Sequence, residues 1–82
     1  MLYTTNGTCS RAIELETDHD TIKSVRFIGG CAGNTSGIAK LVQGMKIDDV
    51  INRLEGTTCG PKPTSCPDQL AKALKELKKS MA

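Results

Sequence analysis

The sequence predicts an α+β domain: a small antiparallel sheet of about three strands, followed by helices packed on one face. Two observations carry this. Up to about residue 28, apolar and polar side chains alternate with period two; from about residue 34 to 81 they recur with helical period. Strands first and helices afterwards is the order of an α+β fold, not of an alternating α/β one. The 82 residues make one domain, residues 1–82, with no room for a second core.

The strands come first. Asn6-Gly7 signals a turn, because both residues tolerate the positive φ of a type I′ hairpin. It joins a short strand at about Leu2–Thr5 to a longer one at about Thr8–Thr17. In the longer strand Ile13 and Leu15 share one face; Ser10, Ala12, Glu14 and Glu16 take the other. Asp18-His19-Asp20 is a polar turn, with His19 solvated between two aspartates. Thr21–Ile28 is the next strand, with Val25 and Phe27 towards the core.

The helices follow a glycine-rich loop, Gly29-Gly30-Cys31-Ala32-Gly33-Asn34. Asn34 or Thr35 caps a helix to about Gln43, with Ile38, Leu41 and Val42 inward and Gly44 as its stop. In the next helix, about Ile47–Glu55, Ile47, Val50, Ile51 and Leu54 fall on one face. Asp48 and Asp49 sit in its first turn, where the helix dipole favours them. The last helix, about Pro67–Met81, buries Leu70, Leu74, Leu77 and Met81 and shows its lysines to water.

Composition narrows the function. With one Tyr, one Phe and no Trp, the core is aliphatic. A core of this size supplies roughly 3–5 kcal/mol, so a metal, a disulfide or a partner would add materially to stability. A net charge of +2, with no basic stripe interleaved with aromatics, argues against nucleic acid. No apolar run approaches the ~20 residues of a membrane span. The first residues lack the charged and apolar regions of a signal peptide, which points to the cytoplasm. The glycine loop lacks the G-x-G-x-x-G order and the P-loop Lys-Ser/Thr, which argues against nucleotide.

The chemistry sits in the cysteines. Thr58–Gln69 holds all three prolines and two of the four cysteines, with no regular period. Stiff loops of this kind carry function on a scaffold. Cys9, Cys31, Cys59 and Cys66 all fall at element ends. Pro67 suits the first helical position, which puts Cys66 at the N-cap, where the positive end of the helix favours a thiolate. Four thiolates from four turns suit one tetrahedral ion. In a reducing compartment, metal binding or redox work comes before structural disulfides. Spacing alone decides little. Gaps of 21, 27 and 6 residues contain no C-x-x-C pair, and cysteine is also a small core hydrophobe.

Gly7-Thr8-Cys9-Ser10, the glycine loop around Cys31, Cys59-Gly60 and Thr64-Ser65-Cys66-Pro67-Asp68 together resemble the TSCPD-domain family, named for the string at 64–68. Similar domains occur as small stand-alone proteins and as the C-terminal domain of adenosylcobalamin-dependent ribonucleotide reductases. The resemblance therefore implies either metal binding or a thiol-redox or accessory role in ribonucleotide reduction. Eighty-two residues cannot hold the reductase's barrel, cobalamin site or radical chemistry. A more distant resemblance is to the U-type iron–sulfur assembly scaffolds, whose three cysteines Cys9, Cys31 and Cys66 match in order. Val42-Gln43-Gly44-Met45-Lys46 is similar to a turn of theirs. Arg11 stands where those scaffolds have Asp, and Ser65 where they have His. On this likeness Cys59 supplies the fourth ligand.

The expectation is a U-type scaffold-like domain with Cys9, Cys31, Cys59 and Cys66 at one end, holding zinc or an iron–sulfur cluster. The alternatives are thiol redox through Cys59 and Cys66, and an interaction domain whose cysteines are spectators. Ribonucleotide reductase or iron–sulfur machinery is the implied protein partner. Whether the chain is itself an enzyme is left open.

Overall fold

The computed structural model describes residues 2–5, 10–29, 32–58, 60–61 and 64–81. β1 (Leu2–Thr4), β2 (Ser10–Asp18) and β3 (Thr21–Gly29) form one antiparallel sheet in the order β1-β2-β3. Three helices follow: α1 (Ala32–Val42), α2 (Ile47–Leu54) and α3 (Cys66–Met81). This is the α+β arrangement that the change of period implies. The Asn6-Gly7 turn lies outside the described residues.

The alternation in β2 does what it should. Ile13 and Leu15 are buried, whereas Glu14 and Glu16 are exposed. Across the ladder Ile13 faces Phe27 and Leu15 faces Val25; Glu14 faces Arg26 on the solvent side. Ile22 is also buried, at 1% exposure, although it is three residues from Val25. A strict period of two would put these on opposite faces. The register shifts between Glu16 and Thr17, and that irregularity carries Ile22 back to the core side. The turn into β3 holds His19 at φ 56, exposed as expected, and Thr21 Oγ1 donates to Asp18 O at 2.9 Å.

The core joins the sheet to all three helices. Ile13, Leu15 and Ile22 cluster with Val42 of α1, Ile47, Val50 and Ile51 of α2, and Leu70 and Leu74 of α3. Three expectations need correction. α1 starts at Ala32, so Asn34 and Thr35 lie inside the helix and not at its cap. α1 packs against β3, with Thr35 buried. Leu41 is 77% exposed, not inward. α1 has one neighbouring face, filled by Thr35, Ile38 and Val42, and Leu41 falls beside that stripe. Leu77 is half-buried, not inward like Leu70 and Leu74.

The layout has two ends. The nine-residue strands are about 30 Å long, and the 16-residue α3 about 24 Å. The strands approach the longest extent, 34 Å, and the C-terminal part of α3 lies beside the β2–β3 turn, where Lys78 lines a small pocket with Asp20, Ile47 and Asp48. α1 leaves the far end of β3 and returns to its start, where Gly44 N–H donates to Ile22 O at 2.8 Å. α2 begins beside the β2–β3 turn, with Ile47 N–H on Asp20 O at 2.7 Å. α3 runs antiparallel to α2: Lys78 pairs with Asp48, Lys75 with Glu55, and Asp68 with Gly56. The starts of β2, α1 and α3 therefore all lie at the end away from the β2–β3 turn.

Candidate functional site: the loop before α3

Gly56 ends the turn after α2 at φ +84 and sends the chain into the loop that leads to α3. Two bonds pin that loop at its beginning. Gly56 N–H donates to Asp68 Oδ1 at 2.8 Å. Ser65 Oγ donates to Thr57 O at 2.7 Å. The other side of the loop is pinned too. Thr64 Oγ1 donates to Asp68 Oδ2, and Gln69 Nε2 donates to Thr64 Oγ1 at 3.0 Å. Thr64, Ser65, Asp68 and Gln69 are all buried. A turn of polar residues has thus become a closed hydrogen-bonded knot, since buried polar groups need partners.

Ser65 is the N-cap of α3. Its Oγ accepts from Asp68 N–H at 3.2 Å, three residues on. Cys66 is therefore the first residue of the helix and Pro67 the second, one position later than expected from Pro67 alone. The reason is chemical: a serine hydroxyl caps better than a thiol, and proline is tolerated throughout the first turn, where its missing N–H has no helical acceptor. Cys66 is half-buried in that turn. Helix N–H groups and the positive end of the dipole lie next to it.

Asp68 is the buried charge of the site, at 3% exposure. Burial alone would raise its carboxyl. The Thr64 hydroxyl, the Gly56 N–H and the Lys72 ammonium outweigh it and hold the carboxyl below its usual range. Lys72 Nζ lies 3.2 Å from Asp68 Oδ2 and is itself half-exposed.

Of the four expected thiol ligands, Cys66 is described; Cys9, Cys31 and Cys59 lie outside the described residues. Their chain neighbours are placed. Cys9 precedes Ser10, and Cys31 follows Gly29 by two residues; Ser10 and Gly29 are paired across the sheet. Arg11 packs against Gly29: a Cβ at Gly29 would meet Arg11 Nε at 3.4 Å. Cys59 follows Gly56, which Asp68 holds, by three residues. Among the described residues no three His, Cys, Asp or Glu side chains gather about one point. None of the described helices is long and apolar enough to cross a membrane.

The sheet, the helices and the pinned cysteine loop define a small α+β domain whose polar centre is the string Thr64–Asp68. That string is the signature of its family. The TSCPD domain model matches residues 1–78, nearly the whole chain, and the chain belongs to the TSCPD domain family. No curated protein and no solved structure matches it.

Thr64 and Asp68 stood in the sequence only as letters of the family string, and Gln69 as the residue three after the expected cap at Cys66; their role as a buried knot was missed. One local signal was available. Ser65-Cys66-Pro67-Asp68 fits the S-x-x-D pattern of a helix start.

Proposed function

We propose that this domain binds a zinc ion or an iron–sulfur cluster through Cys9, Cys31, Cys59 and Cys66. One observation carries the reading: the starts of β2, α1 and α3 share the end away from the β2–β3 turn. Cys9, Cys31 and Cys66 stand at or next to those three starts in the chain. The donor chemistry fits. Cys66 is half-buried at a helix N-terminus, and thiolates are the ligands of structural zinc and of iron–sulfur clusters. Bound there, the group would supply cross-linking that a small aliphatic core lacks.

The protein's own residues do the rest. Asp68 and Ser65 tie both sides of the loop that carries Cys59 to the helix that carries Cys66. Four thiolates with no open position hold a metal and do not hand it on. A reducing compartment such as the cytoplasm keeps such thiols available. The partner class on this reading is a larger enzyme, ribonucleotide reductase or iron–sulfur machinery.

The test is metal analysis and a visible spectrum on anaerobically purified protein, with melting curves before and after chelation. Stoichiometric zinc or an iron–sulfur chromophore, lost together with stability on chelation, supports the proposal. Negligible metal, four titratable thiols and an unchanged melt overturn it. A reversible Cys59–Cys66 disulfide that thioredoxin reduces would instead favour redox work.

A further inference from the structure

Among the described residues β3 ends the order β1-β2-β3, which leaves its outer edge open there except at its first residues. Ile22 N–H donates to Met45 O at 2.9 Å, and Ile22 O accepts from Gly44 N–H at 2.8 Å, part of an antiparallel bridge of Thr21 with Lys46. Beyond that bridge no strand lies beside β3 among the described residues.

The pairing fixes which groups the edge offers. Thr5 N–H donates to Arg11 O at 3.1 Å, so Arg11, Ile13 and Leu15 turn their backbone groups towards β1. Their partners on the other side, Phe27 opposite Ile13 and Val25 opposite Leu15, sit in non-hydrogen-bonded pairs. Val25 and Phe27 therefore turn N–H and C=O outward. The same two residues line a groove of about 350 Å³ with Thr35, Ser36 and Ala39 of α1. An edge strand with a helix beside it is the geometry in which an extended peptide adds to a sheet.

Charge selects the occupant. β3 carries Lys23 and Arg26, both exposed, and no acid, and α1 adds Lys40 and again no acid; the nearest acids, Glu14 opposite Arg26 and Glu16 opposite Ser24, lie on β2, on the side away from the open edge. A second copy's β3 would bring like charges to the same edge. We propose that the groove between β3 and α1 takes an extended acidic segment of a partner protein as a fourth strand. Its backbone bonds to Val25 and Phe27, and its acidic side chains lie beside Lys23 and Arg26.

The full chain is titrated with a nine-residue peptide alternating Glu and Val, and with a control alternating Lys and Val. Binding is read by fluorescence anisotropy and amide exchange by NMR. The Glu peptide should slow exchange at Val25 and Phe27 by about tenfold or more, and the Lys peptide should bind at least about tenfold more weakly. Val25→Pro removes an outward donor and no ladder bond, so it should weaken binding. Should that variant not fold, the double variant Lys23→Gln/Arg26→Gln, which leaves the backbone alone and sets no like charge opposite Glu14, should abolish the preference between the peptides. Equal affinity for both peptides, protection elsewhere, no binding, or self-association through this edge overturns the proposal.

Discussion

Replacing Asp68 by Asn removes one charge and keeps the shape. The carboxylate is 3% exposed, accepts from Gly56 N–H and Thr64 Oγ1, and faces Lys72. An amide keeps one acceptor oxygen and turns an NH₂ group towards the donors on the other side. Losing one charge-assisted bond costs about 2 kcal/mol. The Lys72 contact adds only about 0.5–1 kcal/mol, because the ammonium is half in water. The expected loss is therefore about 3 kcal/mol, most of the roughly 3–5 kcal/mol that a domain of this size commands. Urea unfolding followed by far-UV circular dichroism reads it directly, the chain having no Trp. With m near 1 kcal/mol/M, the midpoint should fall by about 3 M. A loss under about 0.5 kcal/mol at unchanged m would refute the knot as a source of stability. The pH dependence has a fixed sign. The folded carboxyl lies below the ordinary 3.8, so its contribution is present above that value and is lost as pH falls through the lower one. Asp68→Asn should flatten the stability curve in that acid window.

Other substitutions test separate parts of the fold. Ser65→Ala removes the cap and the bond to Thr57 O, and should cost about 1–2 kcal/mol in the same urea assay. Leu74→Ala empties a fully buried site on α3 and should cost about 2–5 kcal/mol. Leu41→Lys should change stability by less than about 0.5 kcal/mol, since Leu41 is 77% exposed; a large loss would return it to the core.

Much of the fold was legible because its signals are local. The alternation through Ile13 and Leu15, the i, i+3, i+4, i+7 stripe of α2 and the leucines of α3 each follow from one element's own geometry. What escaped depended on distant partners. Ile22 reaches the core through a register irregularity that its own sequence does not announce. Asp68 reads as a first-turn acid that would sit well in water. Its burial depends on an N–H twelve residues earlier, at Gly56, and on the hydroxyl of Thr64. Leu41 looked inward because helical period gives an apolar stripe its width but not its edge. For the site, the residue types were legible and their assembly was not. Spacing alone does not say which element ends meet; the pairing of Ser10 with Gly29 and the antiparallel course of α2 and α3 do, and neither is written in a local pattern.

X-ray absorption at the metal edge of anaerobically purified protein tests the central claim most directly, by counting sulfur neighbours. Four thiolates predict a first shell of sulfur alone, at about 2.3 Å for zinc. In Cys66→Ser that shell should lose a sulfur or the metal should be lost. A shell of nitrogen and oxygen, or a metal-free protein with four reactive thiols, would contradict it.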